Sequence, residues 1–204
     1  MATKGESTKN NILVIAEKLM LQKGFSGTSI DEIISASNIT KSGFFYHFNN
    51  KNDLAKHLML KYKHDDKIFY EDIFERAHTL SEDPLQQMLI FLKLLAEAME
   101  NLPDVHPGCL VATFTSANQQ LNSEVKEITA DCTLVWRETF ANQLKKINQQ
   151  YVMKTESTVE DLADMLTTII EGGIIVSRTL SKQKILPQQI LFYRDYLRLL
   201  YTDM

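Results

Sequence analysis

The stretch TKSGFFYHFNNK, residues 40–51, holds the chain's densest group of side chains able to act on a partner. Lys41, Ser42, Tyr46, His47 and Lys51 are interleaved there with the rings of Phe44, Phe45 and Phe48. Were all four rings, Tyr46 included, core residues, the segment would be apolar on nearly every side, and its polar flanks argue against that. On a helical wheel of about 100° per residue with Phe44 at zero, Phe48 falls at about 40°, so these two share a face that must be buried. Ser42, Tyr46 and Gly43 fall at about 160°, 200° and 260°, on the opposite, outward face, with Phe45 and His47 flanking them. A short helix offering a small N-terminal surface, a tyrosine, a histidine and nearby lysines has the shape of an element that enters a DNA major groove. Ser42 and Gly43 would let it approach base edges, while Lys41, His47 and Lys51 are placed for phosphates.

Other chemistries find little support. No Ser/His/Asp arrangement, phosphate loop or metal-ligand spacing appears, so neither an enzyme nor a cofactor or metal site is expected. His57, His64 and His78 are scattered along one predicted helix as solvated residues. The two cysteines, Cys109 and Cys132, are too few for a disulfide framework. Cys132 falls on an apolar stripe. Cys109, in HPGC, is expected in the first turn of a helix beside His106, where the helix dipole and a nearby cation favour a thiolate. A buried, inert thiol is the alternative reading.

The elements that must hold the 40–51 segment are legible from apolar spacing and caps. Ile12, Ile15, Ala16, Leu19 and Met20 form one helical stripe, which Gly24 ends. Ser29 and Glu32 make a capping box opening a short helix to about Ala36. Asn38 tolerates the left-handed backbone that a turn requires, and Thr40 is a natural cap for the next short helix, running to about Tyr46. Two helices of about seven residues joined by a three-residue turn form a helix-turn-helix. Asn50 and Asp53 start a long helix running to about His78. Asp83 with Pro84, then Pro107, then Ser123, then a second capping box from Ser157 to Glu160, and finally Pro187 open the remaining helices. The fold class is therefore all-α with about nine helices. An N-terminal three-helix domain (1–50) is joined through the long fourth helix to a C-terminal helical domain (51–204).

Charge divides in the same way. Of the 204 residues, 1–63 carry 9 Lys against 5 Asp or Glu, a balance of +4, whereas the rest carry 13 basic against 21 acidic, a balance of −8. A small basic module on an acidic body suits a DNA reader fused to a domain with another task. With 44% hydrophobic and 24% charged residues and no long apolar run, a cytoplasmic protein without membrane spans is expected.

The run GFSGTSIDEIISASNITKSGFFYHFNNKNDL, Gly24 to Leu54, closely resembles the DNA-binding domain of the TetR family of bacterial transcriptional regulators. The likeness covers about residues 9–60. It implies a homodimer whose third helices read the two halves of a palindromic operator, usually to repress. Thr28, Ser29, Lys41, Gly43, Tyr46, His47 and Lys51 fall where members of that family touch DNA, and Ser42 and Phe45 lie among them. Asn38 stands where glycine is common. Phe45 stands where tyrosine is common, and it lacks the hydroxyl that would bond a phosphate.

The resemblance further implies dimerisation through the last two helices and an unidentified small-molecule effector bound among the middle helices. Expected interface residues are Leu166, Ile170, Gly173, Ile174, Tyr193, Leu197 and Leu200, which would equally suit an intramolecular core. Gly172 and Gly173 suggest either a close helix crossing or a kink. Expected pocket residues are Met88, Phe91, Leu95, Cys109, Phe114, Trp136 and Phe140, or else these are plain core. The GCL at Cys109 also resembles family members that respond to electrophiles or oxidants. The alternatives to a ligand-released repressor are thus a sensor acting through Cys109 and a helical ligand-binding protein that no longer binds DNA.

Overall fold

The computed structural model describes residues 4–202. Among them are nine α-helices and no strand: α1 (Lys4–Gly27), α2 (Ile30–Ala36), α3 (Lys41–His47), α4 (Lys51–Leu80), α5 (Pro84–Glu100), α6 (Leu110–Ser116), α7 (Ser123–Asn148), α8 (Val159–Leu180) and α9 (Ile185–Tyr201). A single 3-10 turn, Asn118–Gln120, precedes α7.

Local chemistry sets most boundaries. Gly24, at φ 77° and ψ 164°, breaks α1 with a backbone that a side chain would strain. Ser29 accepts the Glu32 N–H at 3.1 Å. The expected return leg is replaced, because the Glu32 carboxylate pairs with Lys23. Asn38 adopts φ 53° in the turn, and Thr40 Oγ1 accepts the Gly43 N–H at 3.1 Å. Asp83 caps α5 by accepting the Gln86 N–H at 2.7 Å, with Pro84 in the first turn.

Three starts differ from expectation. The capping box of α8 is Thr158 with Asp161, one residue on from Ser157 with Glu160, and the Ser157 hydroxyl is bonded to Thr155 instead. Helix α6 opens at Leu110 and not at Pro107, since Gly108 sits at φ 125°. Helix α9 opens at Ile185, leaving Pro187 in the first turn, where its missing N–H costs no helical bond.

The chain clusters into two compact units. Among the described residues, one comprises 4–65 with Gly108–Cys132, and the other comprises Asp66–Pro107 with 133–202. In the first, Ile12, Ala16, Met20, Ile33, Phe44, Phe48, Leu58 and Phe114 are buried, and Phe25 meets Phe114 edge-on at 5.4 Å. Burial of this kind contributes about 25 cal/mol per Å² and supplies most of a small domain's cohesion. In the second, α9 packs on α5 and α8, and Phe74 stacks on Phe91 at 3.8 Å.

Candidate nucleic-acid interface

Helix α3 is held from behind and open in front. Phe44 and Phe48 are buried, as the wheel requires, with ring centroids 5.6 Å apart. Phe48 itself lies just past the helix, in extended backbone, and its N–H closes the last turn on the Phe44 carbonyl at 3.0 Å. Tyr46 is 81% exposed. The half-buried His47 ring stands edge-on to Tyr46 at 4.9 Å, so the two form one outward projection. Phe45 is 42% exposed and packs edge-on against Phe44 at 5.3 Å. Lys41 and Ser42 are exposed at the N-terminal end, with Ser42 Oγ 3.1 Å from Thr40 Oγ1. At Gly43 a Cβ would come within 3.2 Å of Thr40 Oγ1, so glycine protects the cap as well as leaving room in front.

Two expected contacts are turned inward. Thr28 is 1% exposed and its hydroxyl donates to the Gly24 carbonyl at 2.9 Å, which closes the turn before α2 and leaves no side chain to offer a phosphate. Lys51 donates to the Phe25 carbonyl, and its ammonium lies 4.2 Å from the centroid of the Phe25 ring. Partial burial lowers its pKa. Its charge therefore secures α4 to the end of α1. Ser29 stays exposed beside its cap bond.

Sequence reasoning passed over Asn52, between Lys51 and Asp53. Its Oδ1 accepts the Asn122 N–H at 3.0 Å and its Nδ2 donates to the Gln120 carbonyl at 3.4 Å. Partners 68 and 70 residues away leave no signal in local spacing.

The residues expected to line an effector pocket fall into two groups. Met88, Phe91, Leu95, Trp136 and Phe140 are buried in the second unit, where Tyr70 meets Phe140 edge-on at 5.4 Å and Trp136 donates to Asp66 at 3.2 Å. Cys109 and Phe114 belong to the first unit. Cys109 stands at the N-cap of α6 in extended backbone and is 4% exposed, and the Tyr62 hydroxyl donates to its sulfur at 3.7 Å. His106, the expected cation, has its pKa lowered by burial and by Arg178, which favours the neutral ring. Two surface clefts of the second unit have other linings. One of about 660 Å³ is walled by Leu80, Leu89, Ile90 and Leu94 with Arg194 and Arg198, and one of about 380 Å³ lies near His78 and Lys146.

The expected interface residues are also relocated. Leu166, Gly173, Ile174, Tyr193, Leu197 and Leu200 are buried within the chain's own α5–α8–α9 packing, and Ile170 is half-buried. A Cβ on Gly173 would meet Leu186 Cδ1 at 2.8 Å, so the close crossing is between α8 and α9 of one chain. Met165, Ile175, Val176 and Leu180 of α8, and Phe192 and Leu199 of α9, are the large apolar side chains left exposed there. Met165, Val176 and Leu180, with half-buried Ile169 and Gly172, recur at 165, 169, 172, 176 and 180, a continuous stripe on one face that Ile175 lies beside.

Among the described residues no group of His, Cys, Asp or Glu could hold a metal ion, and no helix is long and apolar enough to cross a membrane. Residues 12–58 match the family of bacterial regulatory proteins, tetR family, and residues 84–189 match the transcriptional regulator LmrA/YxaF-like C-terminal domain. The chain is 25% identical over 181 residues to the HTH-type transcriptional regulator YxaF of Bacillus subtilis (strain 168), covering 88% of each. It is 29% identical over 120 residues to the biofilm operon icaADBC negative transcriptional regulator IcaR of Staphylococcus epidermidis, covering 58% of this chain and 59% of that one. Its fold is shared with a TetR-family regulator from Agrobacterium tumefaciens, at a TM-score of 0.80 and 18% identity, over 98% of this chain and all of the other.

Proposed function

From the premise that this chain belongs to the TetR family of bacterial transcriptional regulators, with a C-terminal domain of the LmrA/YxaF kind, we propose that it is a repressor. In this reading it binds a palindromic operator as a homodimer and is released by a small-molecule effector. Residues 1–50 read DNA, and residues 51–204 dimerise and bind the effector. The family is one of DNA-binding regulators and not of enzymes.

The observation that carries this reading is the two-sidedness of α3: Phe44 and Phe48 anchor it while Tyr46 stands 81% exposed. Tyr46, with Ser42, Gly43 and Phe45 around it, meets base edges and the groove wall, while Lys41, His47 and Ser29 engage phosphates. A dimer would place two such helices about 34–36 Å apart, one turn of duplex, which is why the operator is expected to be palindromic. The α8 stripe through Met165, Ile169, Gly172, Val176 and Leu180, with Phe192 and Leu199 of α9, is the face a second copy would cover. IcaR is by name a negative regulator, and a dimer seated on a promoter represses by occupying it. The effector is proposed to enter the aromatic cluster of the second unit among Met88, Phe91, Leu95, Trp136 and Phe140. A cytoplasmic setting follows from binding chromosomal DNA.

The test is a gel-shift titration of the full-length protein against its own promoter region at several salt concentrations. Sequence-selective binding whose affinity falls with salt is expected. Binding without selectivity, or none, would reject the proposal.

A further inference from the structure

The first turn of α4 reaches in three directions with three consecutive side chains. Lys51 is bonded to the Phe25 carbonyl at the end of α1. Asp53 accepts the Asn49 N–H at 2.8 Å and the Asn49 side-chain amide at 3.0 Å, holding the segment that leaves α3. Asn52, between them, accepts the Asn122 N–H at 3.0 Å and donates to the Gln120 carbonyl at 3.4 Å. Successive residues on a helix point about 100° apart, so one turn can hold three different segments at once.

We propose that Asn52 is a positioning residue for DNA reading, tying the aim of α3 to the turn that opens α7. The inference rests on α3 being the reading helix. An asparagine amide suits this place because it matches one backbone donor and one backbone acceptor together. Asn122 in turn caps α7, its Oδ1 accepting the Val125 N–H at 3.0 Å, so the turn that Asn52 holds moves with the start of α7. One helical turn further along, Lys56 pairs with Glu124 and reinforces the same register. The path from α7 to the reading helix is then Asn122 to Asn52, along the first turn of α4 to Asp53, and from Asp53 to Asn49. A displacement of the 120–122 turn re-aims α3, and base contacts tolerate little misalignment.

Two measurements on the full-length chain test this. Hydrogen–deuterium exchange without DNA compares the wild type with Asn52→Ala. The expected result is at least a threefold rise in exchange at 41–49 and at 120–126, with 162–177 unchanged. A rise confined to 120–126, or one spread over the whole chain, would overturn the tether. The second measurement uses a duplex recovered by in vitro selection on the wild type. Asn52→Ala should bind it about tenfold more weakly, corresponding to about 1.4 kcal/mol. Asn52→Asp, which keeps the acceptor for Asn122, should bind within about threefold, and Asn122→Ser, which keeps the backbone N–H and a capping oxygen, should match the wild type. Unchanged binding by Asn52→Ala would overturn the positioning role. Failure of the wild type to select any duplex would instead reject the DNA-reading proposal, and the exchange result would still decide on the tether.

Discussion

Lys51 donates its ammonium to the Phe25 carbonyl and holds it 4.2 Å from the centroid of the Phe25 ring. A lysine so engaged strengthens the joint between α1 and α4, whereas exposed Lys41 has its charge available to a phosphate. The two lysines should therefore respond differently to substitution. Lys41→Ala should reduce the slope of log affinity against log salt by about 1. Lys51→Met should leave that slope in place and lower stability by about 1–3 kcal/mol through the lost charged hydrogen bond and ring contact. Salt-dependent DNA titrations and urea unfolding distinguish the two.

The rings of α3 should separate in the same way. Tyr46→Ala is expected to leave the unfolding midpoint within about 0.5 kcal/mol of wild type, because the side chain is exposed, and to weaken operator binding by at least about tenfold. Phe44→Ala removes a fully buried ring and should cost about 3–5 kcal/mol of stability. Thermal melts beside gel shifts would show whether reading and anchoring are separable.

The paired glycines of α8 give a sharper contrast. Gly173→Ala would drive a Cβ to 2.8 Å from Leu186 Cδ1 and 3.3 Å from Leu186 Cα, and the expected cost is about 1–3 kcal/mol despite alanine's better helix propensity. Gly172→Ala meets nothing within 4 Å and should stabilise the isolated fold by up to about 1 kcal/mol. Equal effects at both positions would contradict the α8–α9 crossing.

If the α8 stripe is covered by a second copy, Val176→Glu should convert a dimer to a monomer in analytical ultracentrifugation while the helix content by circular dichroism stays the same. Operator affinity should fall with it, since both half-sites can no longer be held together.

Alkaline stability carries the signature of buried tyrosines. Burial pushes the Tyr201 pKa up to about 12 and raises that of Tyr193 further, while their hydroxyls donate to Asn148 at 2.7 Å and to the Leu162 carbonyl at 2.7 Å. A folded pKa above the unfolded one means that the neutral phenol stabilises the fold below about pH 10. That contribution is lost as pH rises from about 10 through 12. Tyr201→Phe should flatten the decline in unfolding free energy over that window, measured by denaturant titration at fixed pH values.

Much of the N-terminal unit was written locally. Ser29, Asn38, Thr40 and Asn50 each act within four residues of themselves, so hydroxyl and amide caps and one left-handed asparagine announced α2, α3 and α4. The burial of Phe44 and the exposure of Tyr46 followed from helical angle alone. The interface and the pocket were less legible. An apolar stripe states that a face is covered and does not say by what. The richest stripes of α8 and α9 proved to be covered by the chain's own helices, leaving the thinner one through Met165, Val176 and Leu180 exposed.

The sequence by itself determined the family, the helical class, the order of the elements and the two faces of the reading helix, because caps and periodicity act over a few residues. The tertiary structure alone decided that Lys51 turns to Phe25, that Thr28 closes a turn, that Gly173 abuts Leu186 and that Asn52 holds the turn before α7. Each is a matter of reach, and three of the four depend on which distant segment the packed helices bring within a side chain's length.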